Sequence, residues 1–324
     1  MNARLFGATP VSEIGLGCWQ LGGDWGGVSE SDARSILRTA HESGVTLFDT
    51  ADVYGGGLSE ERIGRWLAED RPESVVVTTK LGRFGPWSGT LTPAGIRAAT
   101  EGSLKRLGVE ALDLTQLHCI PTETLRAGDV FETLRALQAE GKIVKFGASV
   151  ESVEEGLICL SQPGLSSLQV IFNVFRQKPL DELFPKAKAQ GVAILVRLPL
   201  ASGLLSGKFT AQTTFDASDH RSYNRDGAAF NVGETFAGLP FATGVRLADE
   251  LKPLVPDNIS MADWAQRWCL DSGAVTCLLT GATRPEQAAR NAAVSDLPPL
   301  SPDVHATLRK FHDERVAPNI RGPY

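Results

Sequence analysis

Four polar residues of this 324-residue chain stand where apolar runs stop. Asp49 closes LFD in 47-LFDTADVYG-55, with Tyr54 five residues on; Lys80 closes VVVTTK and His118 closes DLTQLH. A free phenol titrates at about 10 and exchanges protons poorly at neutral pH unless tuned. A nearby ammonium stabilises the phenolate and lowers that pKa. The expected arrangement is an ion pair in which Asp49 holds Lys80, Lys80 tunes Tyr54, and His118 hydrogen-bonds and orients a substrate oxygen. Tyr54 would then be a general acid for reducing a carbonyl, or a base for oxidising an alcohol. Singly, each residue has a plainer reading: Asp49 as a turn or helix cap, Lys80 as a solvated strand end, His118 as a rim residue, Tyr54 as turn packing. Their recurrence at the ends of neighbouring strands favours the chemistry.

The elements that must position them alternate. β-branched apolar runs predict strands at 14–18, 46–49, 74–79, 112–117, 144–148, 168–172, 192–198 and 275–279. Helical patterns follow at 31–43, 59–69, 92–107, 130–139, 152–160, 180–190 and 285–293, with a terminal helix at 304–316. Asp32 lies near the first start, Ser59 is placed to cap the second helix, and Thr92, Pro93 and Gly108 punctuate the third. This alternation predicts an α/β fold with a parallel sheet covered by helices. No GxGxxG turn follows the first strand, so a single-domain (β/α)8 TIM barrel over 1–324 is expected rather than an open dinucleotide fold. Residues 4–6 and 11–13 around the turn 7–10 predict an N-terminal hairpin plugging the barrel bottom. The aperiodic, Gly-, Asp-, Asn- and Ser-rich stretch 209–239 predicts a long, lid-like loop after strand seven.

Bulk composition narrows the class. The chain is 42% hydrophobic and 22% charged, an ordinary globular balance. A net charge of -6 argues against nucleic acid or an anionic membrane as partner. The five cysteines are scattered without a CxxC pair or zinc spacing, so no metal is expected and a reduced compartment is. Neither a signal peptide nor an 18-residue apolar span is evident. The expectation is a cytoplasmic protein with a small-molecule partner.

The segments GLGCWQLGG, FDTADVYG, TTK, LTQLH, FGAS and GATRPEQAARN, in this order, resemble the aldo-keto reductases, nearest the bacterial branch acting on sugars, polyols and small aldehydes. The resemblance spans about Leu5 to Leu297 and implies that Asp49, Tyr54, Lys80 and His118 form the family's catalytic tetrad. It implies a nicotinamide dinucleotide lying extended across the barrel mouth. Ser149 and Gln169 match carboxamide contacts, and Trp19 joins the cofactor side. Val150 stands where the family often has Asn, and Arg197 where the nicotinamide often stacks on an aromatic ring; a guanidinium plane can also stack. Backbone amides of Leu200, Ser202, Gly203 and Leu205 would cradle the pyrophosphate, with Lys208 adding charge. Gly281, Thr283, Arg284, Gln287 and Asn291 match the adenosine end. Arg284 near a helix start suits a 2′-phosphate, so NADP is expected in preference to NAD. Trp19, Asp24 and Trp25 after the first strand, and Phe84 and Trp87 after the third, would wall the substrate, Trp25 and Trp87 foremost.

Two other readings compete. Lys80 could form a Schiff base if burial depressed its pKa, giving an aldolase; the neighbouring Asp49 argues against it. A nicotinamide-binding regulatory protein without turnover is the other, against which all four tetrad residues are present.

Overall fold

The computed structural model describes residues 1–23, 27–83 and 91–324. A hairpin of β1 (Ala3–Phe6) and β2 (Thr9–Ser12) precedes eight parallel strands: β3 (Ile14–Gly17), β4 (Leu47–Asp49), β5 (Val76–Leu81), β6 (Leu112–His118), β7 (Ile143–Ser149), β8 (Ser167–Ile171), β9 (Ala193–Arg197) and β10 (Val275–Gly281). They pair in chain order, and β10 pairs back onto β3 to close the barrel. The hairpin plugs the bottom: Phe6 and Val11 pack with Leu47, Leu114, Leu195, Cys277 and Leu279. Arg4 fastens it there, pairing with Glu13 at 2.7 Å and donating to the carbonyls of Leu270 and Val275.

Helices cover the outside: α1 (Glu30–Glu42), α2 (Leu58–Asp70), α3 (Pro93–Leu107), α4 (Thr122–Ala127), α5 (Asp129–Ala139), α6 (Val153–Leu160), α7 (Leu183–Ala189), α8 (His220–Tyr223), α9 (Phe241–Leu251), α10 (Met261–Leu270), α11 (Pro285–Ala293) and α12 (Pro302–Phe311). Local chemistry sets several starts. The Ser29, Thr92 and Ser152 side chains accept from Asp32, Gly95 and Glu155 amides, and α3 stops at left-handed Gly108.

Three corrections concern these elements. Ser59 is not a cap: α2 starts from Gly57, and Ser59 is buried inside it, accepting from the Thr50 hydroxyl and donating to the Cys18 carbonyl. Helices α9 and α10 occupy a stretch where no helix was expected. The first follows an aperiodic segment and carries Gly244 inside it, though Phe241, Val245, Ala248 and Leu251 give it a buried face; the second buries Gln266 and Arg267 beside Trp264 and Trp268, so its polar residues mark no solvent face. The terminal helix begins earlier than expected, at Pro302, and ends in a π turn over His312–Val316.

Between β9 and α9 the chain is mostly irregular, interrupted by α8 and by short turns at Val232–Glu234 and Phe236–Gly238. Phe215, Phe236 and Phe241 pack together and anchor it, while Arg221, Tyr223, Phe230 and Glu234 face the barrel mouth.

Candidate active site

A cavity of about 460 Å³ opens at the C-terminal ends of the barrel strands, where barrel folds place their chemistry. Asp49 ends β4, Lys80 lies near the end of β5, His118 ends β6, and Tyr54 begins the turn after β4. The Lys80 Nζ donates to Asp49 Oδ2 at 2.6 Å, to the Thr50 carbonyl at 2.8 Å and to the Tyr54 hydroxyl at 3.3 Å. The other Asp49 oxygen accepts from the Thr78 hydroxyl at 2.7 Å and the Gln169 amide at 2.9 Å. His118 meets the Tyr54 ring edge-on with centroids 5.8 Å apart, and the Trp19 ring stacks on Tyr54 at 5.9 Å. The glycines after Tyr54 have a steric reason: a Cβ on left-handed Gly55 would fall 2.1 Å from the Gly22 carbonyl oxygen.

The electrostatics correct one expectation. Burial raises the Tyr54 pKa above 10 and outweighs the opposing Lys80 charge, so Tyr54 is a protonated phenol at neutral pH. Burial alone would lower the Lys80 pKa, but Asp49 and Tyr54 reverse this and hold it above 10.5, so the amine stays charged. For His118, burial and then the Arg83 and Lys80 charges push the pKa well below 6.5, leaving a neutral imidazole. Its buried Nδ1 has no hydrogen-bond partner among the described residues. A proton donor on a fixed ammonium beside a neutral imidazole can bind and protonate one developing oxyanion.

A second polar group lies alongside. Glu234, from the loop after β9, accepts from Arg83 Nη2 at 2.9 Å and pairs with Arg197 Nη2 at 3.3 Å. Burial would raise its carboxyl, but Arg197 and Arg83 hold it down at about 2. Burial, then the charge of Glu234, pushes neighbouring Glu151 up to about 7. Cys119, Glu151 and Glu234 place ligand-type atoms within 4.8 Å of one another, but the two guanidinium groups already supply the positive charge a cation would bring.

The remaining expected residues divide. Trp19, Gln169, Arg197, Leu200, Ser202, Gly203, Gly281 and Asn291 line the cavity. Ser149, Leu205, Lys208, Thr283, Arg284 and Gln287 lie outside its wall. Ser149 is buried with Oγ 3.6 Å from Cys119 Sγ, and the Gly203 and Leu205 amides donate to the Leu200 carbonyl rather than into the cavity. Arg197 is committed to Glu234 and the Val150 carbonyl. Gln287 accepts from the Thr283 amide and hydroxyl, while Lys208 and Arg284 are exposed. Asp24, Trp25, Phe84 and Trp87 fall outside the described residues. Arg83 and Glu234 are cavity residues that the sequence reading missed. Arg83, three residues past Lys80 at a strand end, carried a positional signal; Glu234, in the aperiodic loop, carried none.

The description "Aldo/keto reductase family" matches residues 13–313. The chain belongs to this family. Over 97% of its length it is 29% identical to the aldo-keto reductase YhdN of Bacillus subtilis, covering 95% of that protein. The NADH-specific methylglyoxal reductase of Escherichia coli is also 29% identical, over 93% of this chain and 94% of that one. Among solved structures, a glycerol dehydrogenase of Gluconobacter oxydans is 30% identical with a TM-score of 0.78, covering 99% of this chain and 98% of that one. Aldo-keto reductases carry out nicotinamide-dependent oxidoreduction, and the site has features that fit such a group. Leu198, Ser202 and Gly203 hold left-handed backbone at the cavity wall, with φ of 56°, 56° and 99°, and buried Ala201 between them does so at 49°. Three of these carry side chains, a strain kept where neighbours fix it. Beside Tyr54, His118 Nδ1 is a buried polar atom without a hydrogen-bond partner among the described residues.

Proposed function

We propose that the protein reversibly transfers hydride between NADP(H) and a small carbonyl or alcohol, an aldehyde, sugar or polyol, with Tyr54 as the proton donor and acceptor. The observation that carries this is the Tyr54 hydroxyl 3.3 Å from an ammonium that Asp49 holds at 2.6 Å, inside the main cavity. When bound, the nicotinamide supplies hydride to the carbonyl carbon or takes it from the alcohol. His118, neutral, positions the carbonyl oxygen. As the carbonyl π bond opens, Tyr54 gives its proton to that oxygen, and Lys80 stabilises the phenolate left behind. Asp49 keeps Lys80 charged and aimed, and Gln169 and Thr78 fix Asp49 in turn. In the alcohol direction the same proton returns to Tyr54. A charged Lys80 is a poor amine nucleophile, which removes the support for an aldolase.

Replacing Tyr54 by Phe tests the reading: turnover should fall by at least ~100-fold with dinucleotide affinity nearly unchanged, and retention of most of the rate would sink the assignment. The cofactor choice rests on exposed Arg284 at the start of α11, near the expected adenosine end. Calorimetric titration should give tighter binding of NADPH than NADH, a margin that Arg284→Ala abolishes. Equal affinities in the unmodified protein would overturn the preference for NADP, and tighter binding of NADH would align it with its NADH-specific E. coli relative. An acidic chain without, among its described residues, a helix long and apolar enough to cross a membrane suits a cytoplasmic enzyme of small molecules.

A further inference from the structure

We propose that Glu234 sets the charge of the accepted substrate: it occupies, from within the chain, the guanidinium pair that would otherwise receive a substrate carboxylate, and so restricts the site to uncharged carbonyls. This rests on the reductase reading and deepens it.

Arg83, Arg197 and Glu234 line the same cavity as Tyr54 and His118. Each Glu234 oxygen takes one guanidinium, Oε2 from Arg83 and Oε1 from Arg197. A carboxylate ligand seated between two arginines would have this geometry. All three side chains are nearly buried, at 8%, 13% and 7% exposure, so the pairing is shielded from salt and water. The backbone around Glu234 is fixed as well: the Ser202 hydroxyl donates to the Glu234 carbonyl and accepts from the Phe236 amide, both at 3.1 Å. The Arg83 guanidinium lies over the Phe230 ring at 5.1 Å. An incoming carboxylate would therefore find both guanidinium groups facing Glu234, and would have to displace that carboxylate from two partners or sit against it. Selectivity of this kind comes from built-in repulsion as much as from attraction. An uncharged carbonyl meets neither obstacle.

The test compares methylglyoxal, uncharged, with glyoxylate, an anionic aldehyde, as substrates of the unmodified protein and of Glu234→Gln. The unmodified protein should favour methylglyoxal in kcat/KM by at least ~100-fold, and Glu234→Gln should cut that ratio by at least ~10-fold. Glu234→Asp, which keeps the charge but withdraws it by one methylene, should shift the ratio less and in the same direction; it carries the test if the glutamine variant does not fold by circular dichroism. An unchanged ratio in a folded variant, or equal use of both substrates by the unmodified protein, overturns the inference. Calorimetry with oxamate, a carboxylate that is not reduced, gives a readout independent of turnover. Binding to Glu234→Gln with none to the unmodified protein supports the inference even if no carbonyl is reduced, in which case the reductase reading alone has failed. Equal oxamate binding to both overturns it.

Discussion

Tyr54 shows how close competition between two effects decides chemistry. Its phenol faces an ammonium, which lowers a pKa, and is buried, which raises one; burial prevails. The sign matters because a general acid must hold its proton when the hydride arrives. With Tyr54 titrating above its ordinary 10 and Lys80 above its ordinary 10.5, both stay protonated through the neutral range. Carbonyl reduction should therefore show no falling limb from these groups between about pH 6 and 9, whereas alcohol oxidation, which needs the phenolate, should quicken as pH rises. A pH series of kcat in each direction checks this, and a falling limb for reduction centred below about pH 8 would count against Tyr54 as the donor.

At the scale of elements, the loop after β9 is tied to the strand ends through Glu234. An ordinary glutamate titrates at 4.5, while Glu234 in the fold sits at about 2. Between those values the folded chain binds fewer protons than the unfolded one, so stability rises with pH there. The contribution is present in full above about pH 4.5 and fades as pH falls through about 2. Below pH 4.5 Glu151 is protonated in any case, its own pKa lying at about 7. Glu234→Gln should lower stability near pH 5 on the order of 3 kcal/mol, since it leaves buried guanidinium groups uncompensated, and the deficit should shrink as pH falls to 2. Urea unfolding of both proteins across that range measures it; a deficit that does not vary with pH would show that the charge is not what matters.

For the molecule as a whole, the barrel works as a frame with a floor and a mouth. The floor is the hairpin, whose Phe6 is 1% exposed against Leu47, Leu114 and Leu279. Deleting a buried phenyl group costs roughly 3–5 kcal/mol. Phe6→Ala should lower the unfolding free energy by about that much, yet leave KM and kcat of the folded enzyme nearly unchanged, because the tetrad hangs from the opposite ends of the strands. A large loss of kcat in folded Phe6→Ala would mean that floor and mouth are mechanically coupled.

What the sequence determined by itself is the alternation of strand and helix, the closed parallel barrel and the positions of Asp49, Tyr54, Lys80 and His118. These are local: the β-branched run 74–79 and the alternating run 112–117 specify strands through their own side chains, and the polar residue ending each run is visible in the same few letters. Caps such as Ser29, Thr92 and Ser152 act within one helical turn. Tertiary structure alone decided the rest. Glu234 meets Arg83 across 151 residues of chain, a pairing that no spacing encodes. The direction of the Tyr54 shift depends on how completely the cavity removes water from the phenol. Helix α10 is buried on nearly every side, Gln266 and Arg267 included, so its polar residues face protein rather than solvent, a placement set only by the closed fold. Local chemistry is written in neighbouring letters; burial and long-range charge pairing exist only once the barrel has closed.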